Sequence, residues 1–359
     1  MKNIKKVAFA STAALLLTSS LVSAQTTVGG NMRIGLKGHS SNGKAASDTI
    51  VTKETQINIA GRGNLNFGGG TYAAGFSVEF DGNDNAFDAG QHFEGNYINF
   101  IFGNTLLHAG SDWLKPVNVN LAEIVNGSQT FYQTASGIAA RSADVVGVRS
   151  MTDTVVTGEK GDAKGFGFGI IQTIPGIGTI SGKYLPNGIN GVAQADTANV
   201  ANLANAANSQ YSVGARINQA VKGLDLHIGY NNQDTQTPGE TTVAQDLTTL
   251  TYGVKYQMGQ IIVGAERTEQ QYDSTGRDRN ITGFGIGYVV NKDLTVSYGL
   301  YRGKDSASTA VDTEKTQGIT IGQSLGPVGL TITAAKIDNN LGVVGADGKA
   351  VHVQLGVVF

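Results

Sequence analysis

The chain has 359 residues, a formal charge of −2, 50 glycines, five prolines and no cysteine. The lack of cysteine excludes disulfides, thiolate catalysis and cysteine-bound metals. The mild charge gives no reason to expect a nucleic-acid partner. Glycine is well above its usual share, but without a three-residue repeat it does not indicate collagen, and the alternating segments described next argue against disorder.

Lys2, Lys5 and Lys6 precede a largely apolar run at residues 7–17, and Val22-Ser23-Ala24 is a small-residue cleavage pattern. This predicts a secretory signal over residues 1–24, cut after Ala24. The run is too short for a membrane anchor. Losing its three lysines takes the formal charge from −2 to −5 over residues 25–359. No later run is long and apolar enough for a spanning helix. A closed sheet can cross a membrane without one, because its backbone groups are satisfied between strands.

The first strand is predicted at about residues 27–37. Val28, Gly30, Met32, Ile34 and Leu36 share one face; Asn31, Arg33, Gly35 and Lys37 share the other. After a polar segment at 39–52, a second strand at about 53–67 places Ile57, Ile59, Leu65 and Phe67 opposite Gln56, Asn58, Arg62, Asn64 and Asn66. Gly68-Gly69-Gly70 is a tight turn. The third strand sets Tyr72, Ala74, Phe76, Val78 and Phe80 against Ala73, Gly75, Ser77 and Glu79. A loop at 81–93 opens with Asp81-Gly82-Asn83-Asp84-Asn85, like a calcium loop. Ala86 and His92 stand where that loop needs glycine and glutamate, so it reads as polar loop.

Residues 94–102 and 105–111 form a hairpin about Gly103-Asn104, and from 112 to 164 the strand signal fades. A second hairpin, 165–172 with 179–185, turns at Pro175-Gly176, before an Ala/Asn/Gly-rich loop at 186–210. Nine further strands are predicted near 211–218, 223–231, 247–257, 260–271, 280–290, 294–304, 316–325, 327–337 and 350–359. The last alternates Val351, Val353, Leu355, Val357 and Phe359 with His352, Gln354 and Gly356.

Connections alternate between short turns and long polar loops, and the strands number sixteen. That is the pattern of an all-β, antiparallel transmembrane barrel. A spanning hairpin at residues 143–156 would raise the count to eighteen. One face of the strands carries Tyr72, Phe80, Tyr184, Tyr211, Tyr230, Tyr252, Tyr256, Tyr288, Tyr298 and Phe359. Many lie near strand ends, as membrane-interface aromatics do. The opposite face reads as polar or glycine, too wet for the core of a soluble sandwich. Strand one should run beside the last strand and seal the barrel, since closure leaves no edge.

Residues 64–72, residues 99–110, Thr173-Ile174-Pro175-Gly176, the lysine-led signal and the terminal Phe359 together resemble the general porins of Gram-negative bacteria. The resemblance covers the mature chain, residues 25–359. It implies an outer-membrane barrel, a homotrimer, and a third external loop folded into the lumen, here residues 112–164. It also implies contact with outer-membrane lipid and lipopolysaccharide, and recognition of the last strand and Phe359 by the barrel-assembly machinery. Two features depart from the family: Gly110-Ser111 stands where a Gly-Arg pair is common, and the acidic Pro-Glu-Phe-Gly type motif of the inserted loop is not visible.

The resemblance assigns passive diffusion of small hydrophilic solutes and ions. The basic wall is expected from Arg33, Lys37 and Arg62, facing loop acids Asp112, Glu123 and Asp144. Glu79, Lys183, Arg216 and Lys255 are further lumen-facing charges. The wall leans basic and the loop is mixed, slightly acidic. Alternatives are a porin selective for one nutrient class, a structural or adhesive barrel, and a membrane-embedded hydrolase. Asp225 and His227 point inward two residues apart, but no nucleophile and oxyanion site accompanies them. The five histidines show no metal-ligand spacing. Neither an enzyme nor a cofactor or metal is expected.

Overall fold

In the computed structural model the described residues are 25–41, 49–82, 91–110, 167–185, 210–235, 245–272, 277–306, 313–339, 344–345 and 347–359. Sixteen strands are present among them. They are β1 (Gln25–Ser41), β2 (Thr49–Asn64), β3 (Thr71–Gly82), β4 (Gln91–Phe102), β5 (Thr105–Gly110), β6 (Gly167–Ile174), β7 (Gly178–Leu185) and β8 (Gln210–Ile217). The second half holds β9 (Leu224–Thr235), β10 (Gln245–Met258), β11 (Ile261–Tyr272), β12 (Arg277–Val289), β13 (Leu294–Asp305), β14 (Glu314–Leu325), β15 (Val328–Asp338) and β16 (Gly348–Val358).

Each strand pairs with its sequence neighbours, and β1 closes on β16. β5 pairs directly with β6, Leu107 opposite Ile170, so no spanning hairpin can enter between them and the barrel is sixteen-stranded. The predicted strands recur in order. β1 and β2 pair up to Gly38 and Thr49, beyond the apolar region, and β3 and β4 likewise reach Gly82 and Gln91. A ladder needs only backbone partners, so it outlasts the side-chain alternation that marks a strand in sequence.

The period-two pattern separates two faces. Ile34, Ile228, Phe284, Ile286, Ile319 and Leu355 are exposed on the outside, with Tyr211, Tyr252, Tyr256, Tyr288 and Tyr298 among them. Residues 351 to 359 span about 26 Å along the strand, or about 20 Å along the axis at a tilt near 40°. That suits an apolar belt of membrane thickness. Sixteen strands about 4.8 Å apart at that tilt give a backbone radius of about 16 Å, too wide for the wall's own side chains to fill.

The turns explain the hairpins. Gly68 and Gly69 have φ of 64° and 60°, a left-handed conformation open to glycine at little cost, and Leu65 N–H donates to the Gly70 carbonyl at 2.8 Å. Phe67 and Phe102 meet beside this turn with ring centroids 6.2 Å apart. At the seam, Gly30 N–H donates to Phe359 O at 2.8 Å and Phe359 N–H to Gly30 O at 3.0 Å. The Phe359 ring lies over Gly30, where a methyl group would meet its Cζ at 2.8 Å. The predicted closure of strand one on the last strand is thus present.

The inner face departs from expectation in one region. Ile281, Tyr301 and Ile337 on β12, β13 and β15 point inward and are only 1–2% exposed. The inward face is not uniformly polar, and this arc of wall is packed.

Candidate functional site

The most organised charges among the described residues lie on the inner wall of β8 to β11. Register sets them in rows. Arg216 is opposite His227, His227 opposite Gly253, and Gly253 opposite Glu266. One step toward the short turns, Asp225 is opposite Lys255.

Asp225 accepts from Arg216 Nε at 2.9 Å and from Arg216 Nη2 at 2.5 Å, a two-pronged contact that fixes the guanidinium plane. Lys255 Nζ lies 3.7 Å from the same carboxylate. One acid thus holds two bases, and the group stays net positive. His227 Nε2 lies 3.1 Å from Glu266 Oε2, with the two side chains 0% and 3% exposed. The carboxylate can only accept, so Nε2 carries the proton. The bond crosses an entire strand: His227 is on β9, Glu266 on β11, and β10 lies between. It is possible because Gly253 has no side chain. A Cβ there would stand 2.5 Å from His227 Cε1 and 2.8 Å from Nε2.

Asp225 and His227 therefore serve different partners, and the hydrolytic pairing weighed from sequence does not form. Higher on the wall, toward the long loops, Arg279 Nε donates to Asp305 Oδ2 at 2.8 Å, both largely buried. On β4 and β5, His108 Nδ1 lies 2.7 Å from Asn99 Oδ1, and its ring stacks on Tyr97. Among the described residues no group of three or more His, Asp or Glu could hold a metal ion.

A closed sixteen-stranded barrel with an apolar outside and a charged inside is what a water-filled membrane channel requires. The family model for Gram-negative porins matches residues 10–342. The chain belongs to that family. It is an outer-membrane porin, a channel for passive diffusion. Among solved structures it resembles the anion-selective porin from Comamonas acidovorans, at 16% identity and a TM-score of 0.67, over 94% of this chain and 100% of that one. It also resembles a triple mutant of the Rhodopseudomonas blastica porin, at 16% identity and a TM-score of 0.58, over 93% of this chain and 100% of that one. Comparison with curated proteins gives no match.

Within the porin frame, the residues expected from sequence are placed as follows. Arg33 lies on the inner face of β1, opposite Glu54 in register. Arg62 is near the short-turn end, its Nη2 donating to Gln25 Oε1 at 3.0 Å. Arg62 is eight residues from Glu54 on β2, so about 26 Å of strand separates its height from that of Arg33. Lys37 is four positions beyond Arg33, its backbone opposite His352. The three positions therefore stand at different heights along β1 and β2. Glu79 lies on β3 opposite Gln56. Lys183, on β7, is buried on the inner wall opposite Ser212. Asp112, Glu123 and Asp144, with the rest of 112–164, lie outside the described residues, as does most of the calcium-like loop.

Sequence reasoning named Arg216 and Lys255 but missed their joint hold on Asp225, the His227–Glu266 bond, and the Arg279–Asp305 pair. The first signal that could have found them is the shared inward parity of 225, 227, 253, 255 and 266. Parity identifies a face; only register identifies a neighbour.

Proposed function

We propose that this porin passes small hydrophilic solutes and ions through an open lumen, consuming nothing, with a preference for anions. The observation that carries the preference is the charge of the inner wall. Among the described residues Arg33, Arg62, Lys183, Arg216, Lys255 and Arg279 face inward, against Asp225, Glu266, Asp305 and Glu314. Fixed charge in a low-dielectric surround concentrates the counter-ion. The anion-selective Comamonas porin supports the same sign. In this reading residues 112–164 fold into the lumen, and Asp112, Glu123 and Asp144 face Arg33, Lys37 and Arg62. The field across the gap orients dipolar solutes, and the loop sets the size limit. No catalytic step is involved. The mature chain starts after Ala24, assembles as a homotrimer among outer-membrane lipids and lipopolysaccharide, and reaches the assembly machinery through Phe359.

Reversal potentials in planar bilayers under a salt gradient test the sign. The wild-type channel should favour anions, and Arg33→Gln with Lys37→Gln and Arg62→Gln should move it toward cations. A cation-selective wild type, or no movement, would overturn the assignment. Liposome swelling with sugars of graded size tests the class. A smooth decline with size supports general diffusion, one favoured solute would mean a selective porin, and no flux would mean a structural or adhesive barrel.

A further inference from the structure

On the inner wall of β8 to β11 the bases reach the lumen and the acids do not. Arg216 and Lys255 keep 32% and 23% of their side-chain surface exposed, whereas Asp225 keeps 8%, Glu266 3% and His227 none. A solute passing this arc therefore meets cationic tips with the carboxylates sealed behind them. Both bases also lie against the same atom, Asp225 Oδ2, so two positive charges crowd one negative charge. Charges of one sign held this close repel, and a second anion between them relieves it. Asp225 takes the Nε side of the guanidinium. A second oxyanion would meet Arg216 on its Nη1 side and Lys255 beside it.

Beside these cations the wall is bare. Gly214 on β8 is directly opposite Gly229 on β9, one pleat from Arg216 and His227 toward the long loops. A methyl group added to Gly229 would meet nothing within 4 Å. Glycine weakens a strand, and in a wall it marks a place where something approaches the backbone closely. The two glycines make a floor about 10 Å wide, bounded by Ser181 on β7 and Thr251 on β10. Ser212, the next inward residue above Gly214, is 5% exposed, and its Oγ has no hydrogen-bond partner among the described residues.

We propose that the recess over Gly214 and Gly229 binds a phosphate group, as the inorganic ion or on a small hydrophilic solute, with Arg216 and Lys255 as anchors. The inference rests on the open-channel reading and gives the wall's positive charge one saturable place. A doubly charged oxyanion engages both cations at once, and the planar guanidinium matches two of its oxygens, which chloride cannot do. The hydroxyl-edged, glycine-floored recess has room for a hydrophilic body behind the phosphate.

Two measurements on the full barrel test it. Broadening of the phosphorus NMR line of inorganic phosphate, with the barrel in uncharged detergent, reads binding without conduction. Chloride current through planar bilayers, as phosphate is added at constant chloride, reads occupancy of the ion path. Wild type should broaden the line and lose current saturably. Lys255→Gln, which leaves the Arg216–Asp225 contact in place, should raise the half-blocking concentration at least about fivefold, and Lys255→Arg should restore most of the effect. Gly229→Val, which fills the recess and keeps every charge, should weaken the block similarly. Lys292→Gln, the same charge loss on an exposed short turn, should behave as wild type. Tighter block by glucose-6-phosphate than by inorganic phosphate assigns the recess to a phosphorylated solute, the reverse assigns it to the ion, and glucose alone should do nothing. An unbroadened line, equal block of wild type, Lys255→Gln and Gly229→Val, or equal block by glucose would overturn the proposal. Line broadening without chloride current would fail the channel reading and keep the site; chloride current untouched by phosphate would fail the site and keep the channel.

Discussion

Replacing Gly253 with alanine tests the strand-crossing bond between His227 and Glu266. The new methyl would stand 2.5 Å from His227 Cε1, 2.8 Å from its Nε2 and 2.9 Å from the Ala265 carbonyl oxygen. The carbonyl belongs to the β10–β11 ladder and moves little, so the imidazole must swing away. Among the described residues His227 Nδ1 is buried without a hydrogen-bond partner, and Glu266 holds the other ring nitrogen. Losing a charge-assisted bond between buried groups costs about 1.5–3 kcal/mol. Alanine recovers about 0.5–1 kcal/mol because glycine is a poor strand residue. The net loss is about 1–2 kcal/mol. Denaturant unfolding of the barrel in lipid vesicles, followed by far-ultraviolet circular dichroism, measures it. In a His227→Ala background the ring is gone, and Gly253→Ala should become neutral or stabilising. That coupling of about 1–2 kcal/mol distinguishes a clash with the ring from a general strand defect. An equal cost in both backgrounds, or no cost in wild type, would refute the reasoning.

Other expectations concern single contacts. Asp225→Asn leaves Arg216 and Lys255 without their shared carboxylate; with Arg216 a third exposed, the stability loss should be about 1–2 kcal/mol, and bilayer reversal potentials should move further toward anions. A stability loss with no change in selectivity would show that these charges do not face the ion path. Arg279→Ala takes the guanidinium away from the buried Asp305 carboxylate and should cost about 3 kcal/mol in denaturant titrations, whereas Arg267→Ala, from an exposed pair with Glu269, should cost less than about 1 kcal/mol. Comparable losses from the two would contradict the role given to burial. Deleting Phe359 removes both seam hydrogen bonds to Gly30, so less heat-modifiable barrel should reach the membrane, while the channels that do assemble keep wild-type conductance. Normal yield would refute the seam's importance.

Much of the fold was legible because alternation is local. A strand such as β16 records its two faces within nine residues, from Val351 to Phe359. Turn chemistry at Gly68 and Gly69 is equally local, since a positive φ constrains the residue that adopts it. Closure follows from edges: an amphipathic strand such as β16 needs a backbone partner on each side, and on β1 Gly30 supplies the flat site on which Phe359 rests. The inward Ile281, Tyr301 and Ile337 were not legible, because isolated apolar residues on a polar face look like noise until neighbouring strands bring them together.

The sequence by itself determined that this chain is an antiparallel barrel of about sixteen strands, which face of its strands is apolar, and which side chains are candidates for the pore; the direct pairing of β5 with β6 settled sixteen over eighteen. Tertiary structure decided who meets whom. Register brought His227 across Gly253 to Glu266 and gave Asp225 to both Arg216 and Lys255. It separated Arg62 from Arg33 by height, although both share the inward face. It also set Arg302 against Lys315 on the outer rim. The physical reason is that parity is written in each strand, whereas register is fixed jointly by two strands and the turn or seam between them.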